Sequence, residues 1–209
     1  MRIAIVGAHG TGKSKICERV FQHITSIPNN KVKLAINYQD ILSLDFAFIP
    51  EQFREVVKDI PNFAKQTEEI TMATCAKQLY LENLYTAQGK NILCDRSVLD
   101  TFVYYDYFNR LSSSVKKGDF LRSQSKLYCL AYRFAKNHTI KNYSKIYLIA
   151  PSDREIEDDG FRMTDKAQQM EIHELFSKQY FTFDNVEIIP QEDAHQEAFI
   201  KKVASKFVL

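Results

Sequence analysis

The chain of 209 residues contains only four cysteines, Cys17, Cys75, Cys94 and Cys129. None of them lies in a C-x-x-C pair, and their spacing matches no zinc-binding pattern. So few and widely spaced cysteines provide no disulfide framework. A reducing compartment is then the simplest setting, and we expect a cytoplasmic protein.

The sequence also lacks a large excess of either charge and any long apolar run. Its 28 Lys and Arg residues against 26 Asp and Glu residues leave a net charge of +2, which argues against a nucleic-acid partner. No apolar run approaches the roughly 20 residues that span a bilayer. Because a strand-like run begins at Arg2, we expect neither a secretory leader nor a membrane segment.

Strand-like and helix-like segments alternate along the chain, which predicts a parallel α/β sheet in a single domain spanning 1–209. The predicted strands cover residues 2–6, 46–50, 91–95, 145–150 and 186–190, with 31–36 as a further candidate. The predicted helices include one that opens at Lys13, a long one over 62–88, and others over 97–110, around 127–134, around 172–176 and over 194–207.

Helical spacing also indicates which side of each helix is apolar. In the helix around 127–134 we expect four residues to face inward: Leu127, Leu130, Ala131 and Phe134. The long helix carries Ile70, Ala73, Tyr80, Leu84 and Ala87 on one side, and the last helix carries Ala194, Ala198, Val203 and Phe207.

The stretch GAHGTGKS, residues 7–14, fits the phosphate-binding pattern G-x-x-x-x-G-K-[ST] at every fixed position. It lies between a predicted strand and a predicted helix, which is the context that this motif requires. Glycines let backbone N–H groups turn toward phosphates, and the helix N-terminus adds partial positive charge. We therefore assign the loop to a nucleoside triphosphate through Gly7, His9, Gly10, Thr11, Gly12, Lys13 and Ser14. For His9, contact with phosphate or substrate and a solvated loop position both remain open.

Asp95 ends an apolar strand, at the edge where a parallel sheet presents its ligand-binding residues. A carboxylate there can hold Mg²⁺ together with Ser14, or accept a proton from a nucleophile. The alternative is that Asp95 caps the following helix. Arg96 follows it directly and is suited to phosphate or carboxylate, although a surface ion pair is the alternative. Asp100 is expected to be a structural residue of the helix.

The segment PEQFRE, residues 50–55, places Glu51 and Arg54 just after a predicted strand. Glu51 could bind or deprotonate an acceptor hydroxyl, with Arg54 pairing with it or with phosphate. An i,i+3 ion pair on a solvated helix is the alternative.

The polar loop 151–165 carries Arg154 and Arg162 on either side of an acidic run. A mobile loop that brings arginines over the site would stabilise transferred phosphate and exclude water. A merely solvated charged loop is the alternative.

Taken in order, GAHGTGKS, PEQFRE, CDRSVLD and IEDDGFRMTD resemble the P-loop AAA-type ATPase and kinase family that is related to the nicotinamide riboside kinase domain. The DRS motif is also similar to that of deoxynucleoside kinases. The resemblance implies a three-layer fold with a five-stranded parallel sheet in the order 2-3-1-4-5, helices on both faces and a lid loop.

The same resemblance implies roles for particular residues. Glu51 and Arg54 match the acceptor-side motif, Asp95 and Arg96 match the second acid and its arginine, and Arg162 matches the lid arginine, with Arg154 matching less closely. The family pattern is PEYAR, whereas this chain has Gln52 and Phe53 between Glu51 and Arg54. The acceptor therefore stays open.

These observations predict a kinase that uses ATP and Mg²⁺ to phosphorylate a nucleoside, a nucleotide or nicotinamide riboside. Lys13, Glu51, Asp95 and Arg162 are the candidate catalytic residues, and either Glu51 or Asp95 accepts the proton. The absence of an N-K-x-D segment favours ATP over GTP. The alternatives are a regulatory or accessory ATPase with a macromolecular partner, and a kinase acting on polynucleotide ends.

Overall fold

A computed structural model of the chain describes residues 1–25, 45–58, 67–112, 125–156 and 164–207. The strands in this part of the chain are β1 (Arg2–Val6), β2 (Phe46–Ile49), β3 (Asn91–Asp95), β4 (Lys145–Ala150) and β5 (Val186–Pro190). Its helices are α1 (Lys13–Thr25), α2 (Gln52–Val57), α3 (Glu68–Ala87), α4 (Asp100–Ser112), α5 (Lys126–Asn142), α6 (Lys166–Tyr180), α7 (Gln191–Ala194) and α8 (Glu197–Ala204). The candidate strand at 31–36 and the predicted helical residues 62–66 lie outside the described residues.

The five strands form one parallel sheet in the order β2-β3-β1-β4-β5, which confirms the expected topology. β1 lies at the centre, where Ile5 pairs in register with Asp95 on one side and with Tyr147 on the other. All five residues of β1 are buried, because helices cover both faces of the sheet. Within the described residues, no helix has the length and apolar character needed to cross a bilayer.

Alternate residues of the central strands enter two separate cores. Ala4 and Val6 of β1 pack beneath α3, α4, α5 and α6, whereas Ile3 and Ile5 pack against α1 and α8. The C-terminal ends of all the strands lie at one edge, which is where a parallel α/β sheet binds ligands.

The expected inward side of the helix around 127–134 is wrong. Leu127, Leu130 and Phe134 lie on the surface of α5, with 62%, 62% and 58% of their areas exposed, while Tyr128 and Ala135 are buried. Ala131 alone of the four expected residues packs against the core.

The long helix shows the same reversal. Tyr80 is 65% exposed and Ala73 is exposed, while the buried side of α3 is rich in polar residues, among them Gln78 and Glu82. The last predicted helix is two short helices, and Ala198 lies on the surface while Phe199 takes its place in the core.

A buried polar network explains why α3 turns a polar side inward. Glu82 is fully buried, and its Oε2 lies 2.7 Å from Nη1 of Arg2 and 2.8 Å from Nε2 of His138. Its Oε1 accepts hydrogen bonds from Gln78 Nε2 at 3.0 Å and from the Tyr143 hydroxyl. The contacts of this buried carboxylate, and not the apolar pattern of α3, therefore decide which side of the helix is buried.

We expect Glu82→Ala to lower the free energy of unfolding by about 3–5 kcal/mol, since it leaves the Arg2 guanidinium buried without its carboxylate. Urea unfolding measures this loss. Glu174→Ala, which removes an exposed acid paired to Lys178, is the control and should change stability by less than about 0.5 kcal/mol. Equal losses in the two variants would contradict the role given to the network.

Candidate functional site

The phosphate-binding loop runs from the end of β1 to the start of α1. Gly7, Gly10 and Gly12 have φ angles of 137°, 72° and 78°, in the region that side chains other than glycine rarely adopt. A Cβ atom added at Gly7 would lie 2.7 Å from the backbone oxygen of Ile149. The loop therefore follows a path that needs glycine both for its φ angles and for its close approach to β4.

Lys13 folds back into this loop. Its Nζ donates hydrogen bonds to the carbonyl of Ala8 at 2.5 Å and to Oγ1 of Thr11 at 3.2 Å. Burial, reinforced by the nearby charge of Arg96, lowers the pKa of Lys13 to about 7. An anionic phosphate in the loop would favour the charged form of this lysine.

Ser14 and Asp95 meet at the C-terminal edge of the sheet. The Ser14 hydroxyl donates to Oδ2 of Asp95 at 2.6 Å, while Oδ1 is buried without a hydrogen-bond partner among the described residues. Burial, followed by the charge of Glu51, raises the pKa of Asp95. The helix α4 begins only at Asp100, so Asp95 does not cap it, and its contact is instead with Ser14 at the start of α1.

This pair fits Mg²⁺. A hydroxyl and a carboxylate with one open oxygen are the donors that Mg²⁺ takes from a protein when phosphates supply the rest. Ser14 Oγ and Asp95 would hold the ion, which would neutralise phosphate charge when bound.

Arg96 and Glu51 form a second charged pair beside the loop. Nε of Arg96 lies 2.6 Å from Oε1 of Glu51, and its Nη1 donates to the carbonyl of Gly7 at 3.4 Å. Its guanidinium also lies 4.9 Å from the ring centre of Tyr104. Among the described residues, Arg96 is the only non-glycine residue with a positive φ, 88°. Such a backbone costs about 1–3 kcal/mol and is typical of functional sites.

Glu51 is held between two arginines, since its Oε2 lies 3.4 Å from Nε of Arg54. Burial by itself would raise the pKa of Glu51, but the positive charges of Arg96, Lys13 and Arg54 outweigh burial and lower this pKa. The pairing with Arg54 that the sequence offered for Glu51 is therefore present, and Arg96 is a second partner that the sequence analysis did not assign to it. The neighbouring Asp100 accepts hydrogen bonds from Ser97 and Tyr180, which is the structural role expected of it.

The loop that was expected to act as a lid is described only in part. Arg154 is exposed, and its backbone N–H donates to the Ser152 hydroxyl at 3.3 Å. Arg162 lies in 157–163, outside the described residues. The roles of both arginines stay predictions.

Three side chains that the sequence analysis did not single out hold the carbonyls of the phosphate-binding loop. Gln169 Nε2 donates to the carbonyl of His9 at 2.6 Å and Gln191 Nε2 donates to that of Gly10 at 3.4 Å. Nε2 of His195 lies 3.3 Å from the carbonyl of Thr11. These three side chains are about 160 to 184 residues away in the chain from the carbonyls that they contact. In the sequence, only the position of Gln191 directly after β5 could have indicated that it lies near the loop. The side chain of His9 is buried, so a solvated position is wrong for it.

We expect Gly12→Ala to weaken nucleotide binding, because the new Cβ would lie 2.4 Å from Nε2 of His195 at a φ of +78°. Gly89→Ala is a matched control, with a φ of +73° and no atom within 4 Å of the added Cβ. It should cost only the backbone strain of about 1–2 kcal/mol. Calorimetric titration with ATP and thermal unfolding of Gly12→Ala, Gly89→Ala and the Gly12→Ala/His195→Ala double variant separate the two effects. With His195→Ala alone as the reference, recovery of binding to the level of that single variant is expected in the double variant, and its absence would assign the defect to backbone strain.

The comparisons with known proteins agree with the observed fold. The family model described as AAA domain matches residues 2–197. Among solved structures, the chain is similar to NadR protein in complex with NR, with a TM-score of 0.61 and 18% identity. That match covers 100% of this chain and 52% of the NadR chain, so this chain spans about half the length of that protein. Among curated proteins, none matches the sequence. The fold is that of the P-loop nucleoside triphosphatases.

Proposed function

The chain belongs to the AAA domain family, and from that premise we propose that it transfers the γ-phosphoryl group of ATP to a hydroxyl of a small molecule. The observation that carries this proposal is the Glu51–Arg96 pair. Lys13, Ser14 and Asp95 are sufficient to bind the nucleotide and its metal. The carboxylate of Glu51, the second one beside the loop, can therefore serve an acceptor.

On the nucleotide side, the loop amides and Lys13 would surround the phosphates, and Ser14 and Asp95, which contact each other, would hold the metal. The charged lysine would offset the negative charge that develops on the transferred group. Gln169, Gln191 and His195 hold the loop carbonyls, which would fix the loop while its N–H groups bind phosphate.

On the acceptor side, Glu51 is the group that accepts the hydroxyl proton. Its lowered pKa keeps it ionised, and the side chain of Arg96 holds it at 2.6 Å beside the loop. A general base must be ionised and must be held within hydrogen-bond reach of the proton that it takes. Asp95 is less suited, because together with Ser14 it would hold the metal. Arg54 and Arg96, which contact Glu51, would also bind the acceptor or the transferred phosphate, and Arg154 and Arg162 would close over them.

The acceptor class is a nucleoside, a nucleotide or nicotinamide riboside. Support comes from the fold that this chain shares with NadR, which was solved in complex with NR, and from the motifs PEQFRE and DRS. Gln52 and Phe53 differ from the family pattern at the acceptor side, so a panel of acceptors is the proper test.

The test incubates the purified protein with MgATP and a panel of nucleosides, nucleoside monophosphates and nicotinamide riboside, and follows ADP release and product mass. One acceptor should stimulate ADP release and gain one phosphoryl group, and Lys13→Ala should give neither. Slow ADP release that no acceptor changes would instead support a regulatory ATPase that acts with a macromolecular partner.

A further inference from the structure

The outer faces of α3 and α5 carry an apolar surface that the nucleotide site does not use. On α5, Leu127, Leu130 and Phe134 follow one another at spacings of three and four residues and lie more than half exposed. On α3, Ala73, Ala76 and Tyr80 are exposed at the same spacing. Contiguous apolar side chains on the surface are typical of an interface.

The charges beside these side chains differ between the two helices. The helix α5 has four Lys and Arg residues and no Asp or Glu, and its Lys126, Arg133 and Lys141 are exposed. The outer face of α3 instead has the exposed acid Glu69 and, near its other end, the exposed amide of Asn83.

The single cation of α3, Lys77, does not belong to that outer face. It is only partly exposed, and its charge acts on Glu55 of the neighbouring helix α2. The outer face of α3 is therefore acidic at one end and uncharged elsewhere, which suits it to the basic outer face of α5.

The two helices run side by side in the same direction. Near their N-termini the Ser125 hydroxyl donates to Glu68 at 2.5 Å, and thirteen to fourteen residues later His138 contacts Glu82 at 2.8 Å. Consequently Glu69 is level with Lys126 along the helix axis, and Asn83 is within about one helical turn of Lys141.

We propose that a second copy of this chain docks on the surface formed by α3 and α5. A two-fold axis parallel to the helices places α3 of each copy on α5 of the other. Rotation about this axis does not change the position of any residue along the helix direction. Glu69 then faces Lys126 of the other copy, so the interface contains this ion pair twice. The alanines of α3 and Tyr80 meet Leu130 and Phe134 across the interface.

The other end of each helix pair is compatible with the same arrangement. Lys141 of one copy faces Asn83 of the other, whose side-chain carbonyl can accept a hydrogen bond from the ammonium group. The last carbonyls of α3, which ends at Ala87, add partial negative charge at that end.

The charges select this arrangement over its alternative. A two-fold axis perpendicular to the helices would instead pack α5 of one copy on α5 of the other. The basic residues Lys126, Arg133 and Lys141 of one copy would then face the basic residues of the other copy, which is unfavourable. The two helices are about 25–30 Å long and lie about 10 Å apart. The area of the face that they form is comparable to the ~800 Å² that each partner of a stable dimer buries.

The test uses charge reversal in two complementary variants, followed by sedimentation equilibrium in low-salt buffer over a wide range of protein concentration. The wild-type chain is expected to dimerise. Glu69→Lys and Lys126→Glu should each weaken dimerisation by about tenfold, since each opposes like charges in both halves of the interface. Glu174→Lys, on an exposed site of α6, should leave the wild-type association unchanged.

An equimolar mixture of the two variants is the decisive sample. In that heterodimer one half of the interface has both charges reversed and the other half has both native, so each of the two pairs is again opposite in sign. Restored dimerisation supports the proposal and shows that both variants are folded.

Three outcomes would overturn it. They are a monomeric wild-type chain at every concentration, a dimer that survives Leu130→Asp and both charge reversals, and a mixture that stays monomeric although each variant binds ATP. Binding of the monomer to phosphatidylserine vesicles, lost in Lys126→Glu/Lys141→Glu, would assign the surface to an anionic membrane instead.

Discussion

Replacing Lys13 with alanine is expected to lower ATP turnover by about a thousandfold, to near the background of the assay. The Nζ atom lies buried inside the loop, against the Ala8 carbonyl and Thr11 Oγ1, with no other cation of the loop to take its place. A truncated side chain leaves the charge on the transferred phosphate without its closest counter-charge. ADP release in the presence of MgATP and the best acceptor measures the loss.

The matched control for this variant is Lys178→Ala, which removes an exposed lysine of α6 that pairs with Glu174 at 3.3 Å. It should keep the wild-type rate within twofold or so, because a surface pair of this kind contributes little. Thermal unfolding of Lys13→Ala should show that the fold is intact, since the buried lysine has a lowered pKa and its charge is costly to bury. If Lys13→Ala turned ATP over at the wild-type rate, the assignment of residues 7–14 to the nucleotide would have to be abandoned.

Replacing Glu51 with glutamine is expected to lower the rate of phosphoryl transfer to the acceptor by about 10²–10⁴-fold. The amide keeps the size of the side chain and can still accept a hydrogen bond from Arg96, but it cannot take the proton of the acceptor hydroxyl. ATP affinity should stay close to that of the wild-type protein, because Lys13, Ser14 and Asp95 are unchanged. Single-turnover kinetics with calorimetric titration of ATP separate the two effects.

Two further variants make this result interpretable. Glu55→Gln, on the exposed side of α2 where Glu55 pairs with Lys58, should leave transfer unchanged. Asp95→Asn should weaken binding of MgATP itself, since Asp95 contacts Ser14 at the metal position. Normal transfer by Glu51→Gln would move the role of base to Asp95 and leave Glu51 as the partner of Arg96.

Much of the fold could be predicted because its signals are local. The strands at 2–6, 91–95, 145–150 and 186–190 have the bounds that their apolar runs indicate, and β2 differs by one residue. A strand buried on both faces needs a continuous apolar run, so its own residues define it. The phosphate-binding loop is equally local, since glycine φ angles and a lysine at the helix start are properties of one short segment.

The tertiary structure decided what depends on residues distant in the chain. The buried side of α3 follows from Glu82, whose partners Arg2 and His138 lie 80 and 56 residues away, and no helical period contains that information. Gln191 and His195 reach the phosphate-binding loop only because β5 ends at the same edge as β1.

The candidate site divides in the same way. The sequence placed Glu51 and Arg96 at one edge of a sheet, but their contact depends on the pairing of β2 with β3 and on the positive φ of Arg96. Local composition determines strands and loops because backbone geometry is set by near neighbours, whereas buried charge is stabilised only where the fold brings its partners together.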